Sequence, residues 1–184
     1  MVLDEDEKLK IKNMPNKYVV AKRFSNYYKF ISNARSFSLP KKLIRTNLYI
    51  NKILPKHDKK GDNSWSTPKQ FLINGYGDCE DYAITKYATL LELSIDPKKL
   101  FLCVVKVKGS VSLHMVLLYQ ESEEFLVLDN LSWKVLPLSK RSDLIFKYAF
   151  NNKKSFIFLN KKLIIEKNIK RAESILLNNI LLER

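Results

Sequence analysis

The hydrophobic spacing of this chain changes from helical to strand period at Asp96-Pro97, and that change limits the folds open to it. Before it, apolar residues recur at helical intervals: Leu43, Ile44, Leu48 and Ile53, then Tyr82, Ala83, Tyr87, Leu90 and Leu91. After it come short β-rich runs, led by Leu102, Val104, Val105 and Val107, and broken by turns at Gly109-Ser110 and Glu121 to Glu124. A helix lines up residues three and four apart and a strand lines up every second residue, so neither pattern serves the other element. Helices followed by antiparallel strands define an α+β chain, with helices packed on an antiparallel sheet. At 184 residues it fits one domain, able to bury a core without disulfides or structural metals.

Local signals divide that domain. The first twenty residues are polar and charged and read as a loose entry, and Phe24 to Ile31 is aromatic-rich. Leu39-Pro40 starts a helix that runs toward Pro55, with proline in the first turn. Lys56 to Asn63, with Gly61, reads as a loop. Ser66 or Thr67 before Pro68 opens a short helix through Phe71, Leu72 and Ile73, and Asn74-Gly75-Tyr76-Gly77 closes it. A longer helix runs from Asp78 or Cys79 to about Leu93. Strands are predicted at Leu100 to Lys108, Ser112 to Tyr119, Phe125 to Asp129 and Phe156 to Leu159. Ile165, Ile169, Ala172, Ile175, Leu176 and Ile180 predict a C-terminal amphipathic helix. The single domain 1–184 thus has a mostly helical region 1–58, a core 59–160 and a C-terminal helix 161–184.

Composition excludes several classes. The formal charge is +14, yet the positives are spread from Lys41-Lys42 to Lys153-Lys154 with no compact basic motif, which suits solvated faces better than a nucleic-acid site. Two cysteines, Cys79 and Cys103, form neither a CxxC pair nor a disulfide framework. No apolar run is long enough to span a bilayer, and no signal peptide is visible ahead of Asp4-Glu5-Asp6-Glu7.

The chemistry concentrates in Gly77-Asp78-Cys79-Glu80-Asp81-Tyr82. A cysteine in the first turn of a helix feels the positive end of the dipole, which favours thiolate. Alone, such a cysteine is more often an inert buried thiol, and a histidine in an apolar strand, as in Leu113-His114-Met115-Val116, is more often a satisfied core residue. The next strand, however, ends Val127-Leu128-Asp129-Asn130. In a hairpin, Asp129 falls beside His114, where a carboxylate fixes the imidazole tautomer. Cys79, His114 and Asp129 are therefore candidate nucleophile, base and orienting acid. His57 sits in a polar loop and is a weak candidate. Cys103, beside Val104 on a core strand, reads as an inert buried thiol. Asn130 reads as a turn-shaping residue.

Trp65-Ser66-Thr67-Pro68, Gly75 to Ala83, His114 to Leu117 and Val127 to Leu131 together resemble the LapG family of bacterial transglutaminase-like cysteine proteinases. The resemblance covers roughly Asn63 to Phe158, and GDCEDYA is its most specific part. It implies a papain/transglutaminase-like fold with Cys79, His114 and Asp129 as the triad. It further implies a calcium-dependent periplasmic endopeptidase that cuts a large LapA-like surface adhesin near its N-terminus, at a paired-alanine site, to release cells from biofilms. An inner-membrane cyclic-di-GMP receptor of the LapD type would sequester it. Asp78, Glu80 and Asp81 are the candidate calcium ligands: three carboxylates around the nucleophile oppose thiolate formation unless a cation offsets them. The competing reading is helix capping by Asp78 with acidic residues in the first turn. Trp65 is the candidate substrate or partner contact, against a plain packing role, while Trp133 falls outside the matching motifs. A monomer is expected. Two other readings stay open: a transglutaminase that passes the acyl group to an amine, and a non-catalytic basic binding module.

Overall fold

In the computed structural model, residues 1–56, 64–151, 153, 155–159, 162–165, 176, 177, 179 and 180 are described. The expected 56–63 loop, including His57, falls almost wholly outside them.

Among the described residues, five α-helices precede the main sheet. Helix α1 (Glu5–Lys12) replaces the loose entry expected there. Its start is fixed by a reciprocal capping box, in which Asp4 accepts from the Glu7 amide and Glu7 accepts from the Asp4 amide. Helix α2 (Lys17–Ala34) buries Val20, Phe24, Tyr27, Ile31 and Ala34, a stripe at steps of three and four. Helix α3 (Leu39–Ile50) carries Pro40 in its first turn and buries Leu43, Thr46, Asn47 and Ile50. Helix α4 (Pro68–Asn74) is capped by Thr67, with Gln70 completing the box. Helix α5 (Cys79–Glu92) follows; every residue from 81 to 90 is buried. Between α3 and α5, two short strands, β1 (Leu54–Pro55) and β2 (Tyr76–Gly77), pair in parallel.

The main sheet has seven strands: β3 (Leu100–Val107), β4 (Leu113–Glu121), β5 (Glu124–Leu128), β6 (Leu136–Pro137), β7 (Leu144–Phe150), β8 (Ser155–Leu159) and β9 (Lys162–Ile165). Their spatial order is β6-β5-β4-β3-β7-β8-β9, with every pairing antiparallel. Alternation splits the side chains between two cores. Leu100, Leu102, Val104, Met115, Leu117 and Leu128 join the helices, and Leu177 and Ile180 pack into the same cluster. Phe101, Cys103, Val105, Val116, Leu118 and Val127 face the other way, against Leu138, Leu144 and Phe156. The α+β architecture is thus helices on one face of an antiparallel sheet.

Two expectations change in the sheet and after it. Strand β7 was not anticipated, yet it is inserted between β3 and β8 and pairs with most of β3. Residues 162–165, expected as the first turn of the C-terminal helix, form edge strand β9 instead. Leu176, Leu177, Asn179 and Ile180 are helical; the intervening residues fall outside the described set.

Candidate active site

The approach to Cys79 is built by two glycines. Gly75 ends α4 at φ +75°, a left-handed conformation that costs other residues strain. The Arg23 guanidinium lies where a Gly75 side chain would go and donates to the Leu72 and Ile73 carbonyls at 2.5 and 2.9 Å. Gly77 is required by closeness: a Cβ there would come within 2.5 Å of Asp81 Oδ2 and 2.6 Å of the Phe71 ring. Asp78 then caps α5, and Asp81 accepts back from the Asp78 amide at 3.4 Å. Cys79 is consequently the first residue of α5.

The sulfur meets the sheet where β5 stops. The β4–β5 pairing begins only at Leu117 and Leu128, so Met115 lies beyond it. Its backbone amide faces the Cys79 sulfur and favours the thiolate, one residue from His114. The thiol itself donates to Glu80 Oε2 at 2.9 Å. Burial first, then the Glu80 charge and that hydrogen bond, push the thiol well above its ordinary range, outweighing the Met115 amide. The nucleophile candidate is thus held by a carboxylate, an arrangement that opposes thiolate formation.

His114 and Asp129 meet just beyond the end of the β4–β5 pairing at Leu117 and Leu128, as diagonal rather than directly opposed neighbours. His114 Nε2 lies 2.8 Å from Asp129 Oδ1, both side chains being buried. With Nε2 committed to the carboxylate, Nδ1 is the nitrogen left to exchange a proton with a thiol. The Leu131 amide donates to the same Oδ1 at 2.9 Å, and Arg141 Nη2 donates to Oδ2 at 2.8 Å. Burial alone would raise the Asp129 carboxyl; the His114 hydrogen bond and charge, with Leu131 and Arg141, reverse this and hold it far below the usual range.

Several supporting residues escaped sequence reading. Asn51 donates to the Asp129 carbonyl at 2.9 Å, and Asn47 to that of Ser132 at 2.8 Å, so α3 braces the loop after β5. Arg141, just after the turn Leu138–Lys140, reaches Asp129 and Asp143 together. Lys86, two turns along α5 from Cys79, is fully buried; burial lowers it to about 7 despite the Asp129 charge. None is adjacent in sequence to what it supports, and only the buried polar positions on apolar helix faces could have hinted at them.

The remaining candidates divide. Trp65 is half-buried and stacks on Phe150, with centroids 6.1 Å apart and planes at 15°. Cys103 is buried in the second core and pushed up by burial. Trp133 is exposed. Asp78, Glu80 and Asp81 offer the hard oxygen donors that calcium prefers. In their present rotamers, Asp81 accepts from the Ser66 and Asp78 amides and Glu80 accepts from the thiol. Among the described residues no three His, Cys, Asp or Glu side chains converge as a metal site. The donor chemistry fits calcium, since carboxylate oxygens keep lone pairs beyond one amide, but Glu80 must turn away from sulfur.

A cysteine at the head of a buried helix, set against a strand that bears a histidine–carboxylate pair, defines the transglutaminase-like cysteine proteinases. The profile of the bacterial transglutaminase-like cysteine proteinases (BTLCP) matches residues 28–162, and the chain belongs to that family. Calcium-bound LapG of Legionella pneumophila is similar at 28% identity and a TM-score of 0.79, over 94% of this chain and 97% of that one. A second structure of that LapG gives 25% and 0.78, over 100% and 96%, and the EGTA-treated form gives 25% and 0.78, over 98% of each chain. No curated protein matches the chain. The protein is thus a LapG-like cysteine protease.

Proposed function

We propose that this chain is a calcium-dependent endopeptidase whose triad is Cys79, His114 and Asp129, and whose substrate is a large surface adhesin cut near its N-terminus at paired alanines. The observation that carries the triad is the meeting of three elements. The head of α5 touches the edge of β4 at Met115, and the neighbouring His114 is bonded to Asp129 at 2.8 Å.

The hydrolysis runs by acyl transfer. His114 Nδ1 takes the thiol proton, and the thiolate attacks the scissile carbonyl carbon. Backbone amides at the start of α5 receive the oxyanion. His114 returns the proton to the leaving amine as the C–N bond breaks, leaving a thioester on Cys79. Water, deprotonated by the same imidazole, attacks the thioester and the thiol is restored. Throughout, Asp129 keeps the proton on Nε2 and stabilises the imidazolium.

Asp78, Glu80 and Asp81 are the proposed calcium-holding residues. A bound cation there supplies charge neutralisation beside the nucleophile. The family resemblance and the calcium-bound LapG relative support this reading. The same resemblance motivates a periplasmic location and sequestration by a LapD-type receptor, with Trp65 at the contact.

The test is incubation with N-terminal fragments of candidate adhesins. Wild type should cleave and Cys79→Ala should not, while both give the same far-UV circular dichroism. A folded Cys79→Ala protein that still cleaves would remove the mechanism.

A further inference from the structure

We infer that Arg141 is a positioning residue of this site, clamping the second oxygen of Asp129 so that the carboxylate holds His114 in one orientation and one tautomer. The inference rests on the triad reading above. Asp129 is wholly buried, and its two oxygens have separate duties. Oδ1 receives His114 Nε2 and the Leu131 amide, and Oδ2 receives Arg141 Nη2 at 2.8 Å. Arg141 is itself buried and held by a second carboxylate, Nε donating to Asp143 Oδ1 at 2.9 Å and the same Nη2 that meets Asp129 donating to Asp143 Oδ2 at 2.7 Å. The result is a line of bonded groups, His114–Asp129–Arg141–Asp143, anchored at the half-exposed Asp143.

Physical reasons favour such a clamp. The terminal torsion of an aspartate is broad, so one bonded oxygen does not fix the plane of the carboxylate. A planar guanidinium bridging two carboxylates does, and a lysine cannot reproduce that fork. While the imidazole is neutral, a buried carboxylate also needs a counter-charge that does not come and go with the catalytic proton. Lys86 bears on Asp129 electrostatically, but no hydrogen bond joins them among the described residues. Proton transfer from a thiol requires a free lone pair on Nδ1, so the proton must stay on Nε2.

The chain has two histidines, which makes ¹⁵N spectra of the imidazoles directly readable once His57→Gln assigns the second. Wild type should show neutral His114 as one tautomer with Nε2 protonated. Arg141→Gln should show both tautomers, and Arg141→Lys should recover part of the wild-type pattern. Toward an adhesin fragment, Arg141→Gln should lower kcat on the order of 10²-fold with KM within about twofold, the size expected of a small misplacement. Added to Asp129→Asn, it should lower kcat no further, because it acts through that carboxylate. A single unchanged tautomer in Arg141→Gln, or kcat losses that multiply in the double variant, overturns the inference. If Arg141→Gln does not fold, Asp143→Asn loosens the same guanidinium from its exposed end; a second tautomer supports the clamp and an unchanged spectrum overturns it. Absence of cleavage by wild type would count against the protease reading alone, since the spectra need no substrate.

Discussion

Lys86 shows how one residue can set a pH dependence. Its ammonium is buried near the Tyr82 ring, and that burial outweighs the Asp129 charge, so folding disfavours its charged form. Because its folded value, about 7, lies below the ordinary 10.5, the unfolded chain holds more protons between those values. Stability therefore climbs as pH rises from about 7 toward 10. Above 10 the sign reverses: Tyr49 and Tyr82, raised by burial to about 12, keep protons that the unfolded chain has lost. Lys86→Met should gain about 1–4 kcal/mol near pH 6, as when buried charge yields to apolar packing. Urea titrations from pH 6 to 9.5 should show that advantage shrinking; parallel curves for the two proteins would contradict it. At this scale the sequence was informative where chemistry is local. Cys79 is announced by its capping neighbours, and the nearness of Asp129 to His114 by the short turn between their strands. Arg141, Asn47, Asn51 and Lys86 act on residues 12 to 85 positions away, through contacts no local pattern encodes.

Among the elements, the turn from α4 into α5 is the most constrained. Gly77→Ala should cost about 1–3 kcal/mol, typical of overpacking, because the buried Phe71 ring and the Asp81 carboxylate, itself held by the Ser66 and Asp78 amides, must yield. A lowered urea midpoint by circular dichroism, with unchanged slope, is the expected result; an unshifted midpoint would show that the turn can relax. This turn was readable from Thr67-Pro68 and the glycine pair, since capping and positive φ demand particular residue types. Helix α1 was readable too, from Asp4 and Glu7, but a polar composition hid it. Strand β7 reads as a nearly continuous apolar run, because the exposed Ile145 is apolar too, and so its sequence lacks the alternation that marks a half-exposed strand. Its place between β3 and β8 depends on pairing across some forty residues and has no local signature.

For the molecule as a whole, the proposed calcium site should appear in its melting. A ligand at a hundredfold its Kd adds about 2.7 kcal/mol to the folded state, and about 2–4 °C follows per kcal/mol in a chain of this size. A rise in Tm of roughly 5–10 °C from EGTA to saturating calcium is expected, lost in Glu80→Gln. Identical melting in both conditions would exclude the cation at this site. No described helix is long and apolar enough to cross a membrane. The charge of +14 should make contact with anionic surfaces salt-sensitive. Helix α5 carries Cys79 at its head and has no solvent face for ten residues. Amide exchange along such a rod must wait for the whole domain to open. Heat should therefore silence the nucleophile and dissolve the domain in one event, with no intact but inert species between.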